Sequence, residues 1–165
     1  MFKTLTIVAL CVVPLQALAQ VSRGKALYEE RKYAEAASVL KTEVEKSPEN
    51  QEALTYLGLA RVMAGDAAGA TEPLKKALSM NPDNALAHYG MGLVHGRNKK
   101  LNEAIAELQK ATQLAPDYAY GHYQLGMAYN QRGDKTLAIR HLRRFVELAP
   151  DAPEAPGIRA LLAHL

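Results

Sequence analysis

The chain has 165 residues, 48% of them hydrophobic and 22% charged, with a formal net charge of +3. That composition is ordinary for one soluble domain and speaks against both disorder and a membrane bundle. So small a net charge provides no nucleic-acid or anionic-membrane footprint.

The first residues differ from the rest. Lys3 supplies a positive end, Leu5 to Val13 is almost unbroken apolar sequence, Pro14 interrupts it, and Ala17, Leu18 and Ala19 form a small-x-small cleavage pattern. Residues 1–19 therefore read as a signal peptide cut before Gln20, and the protein as exported, with a bacterial periplasm as the expected compartment. A membrane-crossing helix needs about 20 apolar residues, roughly twice this run, so no stable membrane anchor is expected once the signal is cleaved. The single cysteine, Cys11, lies inside the segment and follows Leu10 rather than a small residue, which argues against lipid attachment. The mature chain would then hold no thiol and form no disulfide. Losing Lys3 leaves 20 − 1 = 19 basic residues against 17 acidic ones, a balance of +2.

From Gln20 onward the chain repeats itself. Pro48, Pro82, Pro116 and Pro150 are 34 residues apart, and the same step relates Gly24, Gly58, Gly92 and Gly126, then Ala36, Ala70, Ala104 and Ala138, then Leu40, Leu74, Leu108 and Leu142. Each proline lacks the N–H that would continue a helix and disfavours helix in the residue before it, so each closes one unit. Between prolines, apolar positions follow helical spacing and are interrupted midway by turn signals such as Gly65–Asp66 and Gly133–Asp134. Every unit is thus a helix, a turn and a second helix. Glycine inside a helix costs about 1 kcal/mol relative to alanine, so a glycine repeated there implies two backbones approaching too closely for a side chain.

In chain order the units are 20–50, 51–84, 85–118 and 119–152. The first has a shortened opening helix if the signal is removed, and Glu43 stands where the other units favour alanine. In the second, Pro73 falls about one turn into the second helix and is expected to kink or fray its start. The third carries Lys99 where glycine is expected at the mid-repeat turn, which should loosen that turn. In the fourth, Phe145 replaces the usual alanine and predicts altered packing near the C-terminal end. After Pro150 the period stops. Ile158, Leu161, Leu162 and Leu165 fall at i, i+3, i+4 and i+7 behind Pro156, which predicts a closing helix over 153–165. One unit cannot bury its apolar face alone, but four and a cap can bury a continuous core between neighbours.

With Leu54, Leu57, Gly58, Ala70, Leu74, Ala77 and Pro82 at the signature offsets in one unit, and Leu125, Gly126, Tyr129, Gly133, Ala138, Leu142 and Pro150 in another, the chain resembles the tetratricopeptide-repeat (TPR) family. The resemblance implies an all-α fold, a right-handed α-solenoid of about four helical hairpins plus a C-terminal capping helix, and a non-enzymatic role in binding a protein or peptide. It further implies that the first helices line a concave groove. The groove places carried over are Lys25, Tyr28 and Glu29; Thr55, Leu59, Val62 and Met63; Tyr89, Leu93, Gly96 and Arg97; and Tyr120, Tyr123, Met127, Asn130 and Gln131. The core set is Thr55, Leu59, Met63, Tyr89, Leu93, Arg97, Tyr123, Met127 and Asn130. Tyr89, Leu93 and Arg97 stand at i, i+4 and i+8 and so share one helix face. Thr55, Leu59, Tyr89 and Leu93 stand in places comparable to those where some family members present the lysine, arginine and asparagine that clamp a peptide's terminal carboxylate.

Nothing in the sequence favours catalysis, a metal or a cofactor. His88 and His95 are seven residues apart, about 10 Å along a helix, too far to share an ion. His88 and His122 occupy equivalent places in successive units. No glycine-rich loop cradles a phosphate. Carboxylates such as Glu103 and Glu107, and the basic group Arg140, His141, Arg143 and Arg144, fit solvated outer faces. The expected function is therefore a periplasmic adaptor or assembly factor that holds a segment of an envelope protein in its groove. The alternative is a self-associating scaffold whose groove accepts the cap helix of a second copy, making a homo-oligomer.

Overall fold

The computed structural model describes residues 15–165, so the expected signal peptide falls largely outside the described residues. Nine helices run through the described part: α1 (Leu15–Glu29), α2 (Tyr33–Lys46), α3 (Gln51–Met63), α4 (Ala67–Met80), α5 (Ala85–Arg97), α6 (Leu101–Leu114), α7 (Ala119–Arg132), α8 (Lys135–Leu148) and α9 (Ala155–Leu162). The expected cleavage point before Gln20 lies inside α1. Buried Val21 and Gly24 lie beyond it.

The glycine column explains why the helices pair. A Cβ placed on Gly24, Gly58, Gly92 or Gly126 would fall within 3 Å of the side chain of Leu40, Leu74, Leu108 or Leu142 respectively. Each hairpin is therefore closed by a leucine of its second helix lying on the bare backbone of its first. All four leucines are buried.

The mid-repeat turns form a second column. Arg31, Gly65, Lys99 and Gly133 all have positive φ, at 60°, 99°, 59° and 90°. In each, this residue donates its N–H to the carbonyl three back and the next residue donates to the carbonyl five back, as with Lys99 to Gly96 (3.1 Å) and Lys100 to His95 (2.9 Å). That is the left-handed helix ending usually given to glycine. The expectation that Lys99 loosens its turn is corrected: it keeps the turn and accepts a left-handed backbone instead.

Pro73 likewise does not end or fray α4, which runs unbroken from Ala67 to Met80. The carbonyl its missing N–H would have served is that of Gly69, and Arg61 Nη1 of the preceding helix donates to it at 2.7 Å. At the starts of α3, α4 and α5, Asn50, Asp66 and Asn84 accept from the N–H of Ala53, Gly69 and Ala87 at 3.0, 2.8 and 3.0 Å. The closing helix starts at Ala155, later than the expected 153, with Pro156 in its first turn. Phe145 is fully buried and packs with Ala155 and Ile158, so the anomalous residue of the last unit is what the cap sits on. Glu43 is buried at 1% exposure, and its Oε1 has no partner among the described residues.

Each helix packs on its neighbours in sequence. Beyond that, α1 meets α3, α3 meets α5, and α5 meets α7, whereas α2, α4, α6 and α8 do not touch one another. The array therefore bends with the odd-numbered first helices on the inside. That inner row forms the concave surface of an all-α solenoid.

Candidate functional site

Two adjoining concavities occupy the inner row. The first, about 650 Å³, is lined by Tyr28, Tyr33, Tyr56, Tyr89, Tyr118, Tyr120 and Tyr123, together with Leu59, Met63, Leu86, Ala115, Gln124 and the charged Glu29, Arg31 and Glu154. Only one of the chain's eight tyrosines, Tyr129, is elsewhere, so the aromatic content of the protein is concentrated here. The second, about 470 Å³, is lined by Leu93, Gly96, Arg97, Leu101, Met127, Asn130 and Gln131 among others. Met63 and Gln124 line both, which makes the two one continuous groove.

The rings brace each other edge-on. Tyr28 meets Tyr56 at 5.7 Å, Tyr89 meets Tyr118 at 5.1 Å, and Tyr120 meets Tyr123 at 6.3 Å, all near perpendicular. Tyr120 and Tyr123 also tilt against Phe145 at 5.8 and 5.1 Å. Burial raises the pKa values of Tyr28, Tyr89 and Tyr118 well above the ordinary phenol range, so these walls stay neutral.

One edge of the first concavity is crossed by side chains from opposite ends of the array. Arg31, in the α1–α2 turn, donates from Nη2 to Glu154 Oε1 at 3.0 Å and to the Tyr120 hydroxyl at 3.3 Å, and that hydroxyl donates to Glu154 Oε2 at 3.1 Å. Burial opposes ionisation of Glu154, but hydrogen bonds from Arg31, its own backbone and Tyr120 outweigh it and hold the carboxyl below its usual range.

The structure brings most of the sequence-derived residues into this groove. Leu59, Met63, Tyr89 and Tyr123 line the first concavity, and Met63, Leu93, Arg97, Met127 and Asn130 the second. Thr55 does not belong: at 3% exposure it lines neither, and its hydroxyl donates to Gln51 O (2.8 Å) while accepting from Asn84 Nδ2 (2.9 Å), tying α3 to the N-cap of α5. Tyr89 and Leu59, 2% and 1% exposed, are corrected from ligand-facing side chains to the packed floor, because Tyr118 folds over Tyr89. Val62 is fully buried, and Lys25 pairs with Glu52 at 2.7 Å.

Tyr33, Tyr56, Leu86, Tyr118, Gln124, Arg31 and Glu154 were missed. Arg31 lies in the α1–α2 turn, Tyr33 opens α2, Tyr118 caps α7 and Glu154 precedes α9, so four of them sit outside the first helices from which the candidates were drawn. A second missed pair lies on the far side: His122 Nδ1 and His141 Nδ1 are 2.9 Å apart. His122 Nε2 must donate to Pro116 O at 2.9 Å, so in the neutral pair His141 Nδ1–H donates to His122. His88 uses Pro82 O in the same way at 2.8 Å and turns Nδ1 to Glu107 at 2.6 Å. Among the described residues no group of three or more histidine, cysteine or acidic side chains is placed to hold a metal, and no helix is long and apolar enough to cross a membrane.

A solenoid with an aromatic inner groove and helical units of fixed length defines a repeat protein of the interaction-module class. Models described as tetratricopeptide repeat match residues 21–85 and 64–119 in one case and 92–163 in another, and the chain belongs to that family. Among solved structures it is similar to a thermophilic TPR protein of Thermus thermophilus (TM-score 0.74, 22% identity, covering 90% of this chain and 80% of that one). It is also similar to the pilF protein of Pseudomonas aeruginosa (0.73, 21%, 90% and 68%) and to YrrB, described as a TPR protein with an unusual peptide-binding site (0.64, 22%, 87% and 74%). No curated protein sequence matches the chain.

Proposed function

We propose that this protein is a non-enzymatic, exported adaptor that holds a peptide or helical segment of an envelope protein in its concave groove. One observation carries the reading: the groove is continuous, and seven tyrosines from successive units converge on it. Tyrosine offers large contact area with few rotors to immobilise, and Met63 and Met127 add adaptable apolar surface. The floor of Leu59 and Tyr89 is held by packing, which leaves Tyr123, Met127, Leu93, Arg97 and Asn130 as the residues that meet a partner.

A photo-crosslinking phenylalanine analogue placed at Tyr123 or Met127 tests this in a native envelope extract. The expected outcome is a shared crosslinked partner from both positions and none from Arg143 on the exposed face of α8. Crosslinks only to a second copy of the chain would favour the self-associating scaffold, and crosslinks from Arg143 alone would place recognition on the convex side.

A further inference from the structure

We propose that Arg31 is a tethered stand-in for a basic residue of the partner, and that the groove takes segments in which an arginine or lysine neighbours an apolar or aromatic side chain. The inference rests on the groove being the binding surface and names what that surface selects.

The Glu154 carboxylate and Tyr120 hydroxyl already receive a guanidinium, and that guanidinium reaches them from 123 and 89 residues away in sequence. No helix of the first hairpin packs against α8 or α9. The bridge is thus made by side chains alone across the groove edge. The Arg31 side chain is 54% exposed and that of Glu154 25%, so Arg31 itself is open to solvent, and its displacement costs little when another cation takes its place on Glu154. Glu154 meets the replacement cation with its carboxylate already in place.

Two further observations point to a cation. Glu29 lines the same concavity and makes no ion pair among the described residues, so with Arg31 swung aside the lining residues include two carboxylates and no cation. The Tyr56 ring, another wall, already lies under an ammonium, with Lys25 Nζ 5.2 Å from its centroid. Neutral tyrosine faces attract cations and apolar groups alike. An arginine whose stem lies along the rings and whose head reaches Glu154 uses both properties.

A randomised peptide library displayed on phage, panned on the wild type and on Glu154→Gln, tests the idea. The wild type should enrich peptides with arginine or lysine beside an aromatic or aliphatic residue, and Glu154→Gln should lose the basic preference. A synthetic copy of the enriched peptide should then bind Arg31→Ala up to about fivefold more tightly by fluorescence anisotropy, since its competitor is gone. Enriched peptides without a basic residue, or an Arg31→Ala variant that binds no more tightly, would overturn the proposal while leaving the groove reading intact if Tyr123→Ala still abolishes binding. An empty selection, or peptides indifferent to Tyr123→Ala and Met127→Ala, would overturn both.

Discussion

Gly126→Ala tests the packing rule on which every unit depends. The added Cβ would lie 2.7 Å from Leu142 Cγ, 2.8 Å from Cδ2 and 3.1 Å from the Leu142 backbone N, so the clash cannot be relieved by moving a flexible side-chain tip. Two effects oppose each other. Alanine gains about 1 kcal/mol of helix propensity over glycine, and overpacking a tight contact costs about 1–3 kcal/mol. The net effect is a loss of up to about 2 kcal/mol, while the bulkier Gly126→Leu should lose at least the full overpacking cost. Propensity cancels in a cycle with Leu142→Ala, where the Cβ finds room and Gly126→Ala should stabilise. The coupling between the two sites is then about 1–3 kcal/mol. Gly96 is the control, because nothing lies within 4 Å of a Cβ there and Gly96→Ala should gain about 1 kcal/mol. The chain has no tryptophan, so urea unfolding is followed by far-UV circular dichroism. A coupling below about 0.5 kcal/mol, or a Gly126→Ala variant as stabilised as Gly96→Ala, would refute the reasoning.

Arg61→Met keeps the aliphatic stem but removes the donor that serves Gly69 O, and should cost about 1–2 kcal/mol; the same change in a Pro73→Ala background, where a backbone N–H serves that carbonyl, should cost less. Burial, then His122, then Arg140 lower the His141 pKa from 6.5 to about 4. The unfolded chain therefore binds this proton first, so the stability contribution is complete above pH 6.5 and is lost as pH falls towards 4, by about 1–2 kcal/mol after allowance for the half-exposed ring. Urea midpoints from pH 7 to 4 should show this slope in the wild type and a shallower one in His141→Gln.

The repeat was legible because close packing leaves a periodic residue pattern. Gly126 and Leu142 report one contact sixteen positions apart, and three other pairs report it again at the same step. The helix–turn–helix units followed from that period, while the inner row and the places of Leu93, Arg97 and Met127 were implied by the family resemblance. Features that satisfy the period in a different way were not legible: Arg31 and Lys99 fill left-handed positions by conformation rather than by residue type, and Arg61 repairs the Pro73 defect from another helix. The groove edge was hidden for another reason. Arg31, Tyr120 and Glu154 meet only because the array curves back on itself, and curvature is a sum over units that no single offset records. The candidates Thr55 and Tyr89 show the converse, since a position that faces inward by offset is still buried when the next unit leans on it.

The asymmetry between inner and outer helices bears on how such a protein changes over evolutionary time. Contacts between next-nearest helices run only through the first-helix row, so Leu59 and Tyr89 join one unit to the next and floor the groove at once. Substitution there risks the whole array before it alters selectivity. Tyr33, Arg97, Gln124 and Gln131 line the same groove without belonging to the buried core. Drift towards a new client should therefore accumulate at that rim while the floor stays fixed, and homologues serving different clients should differ there first.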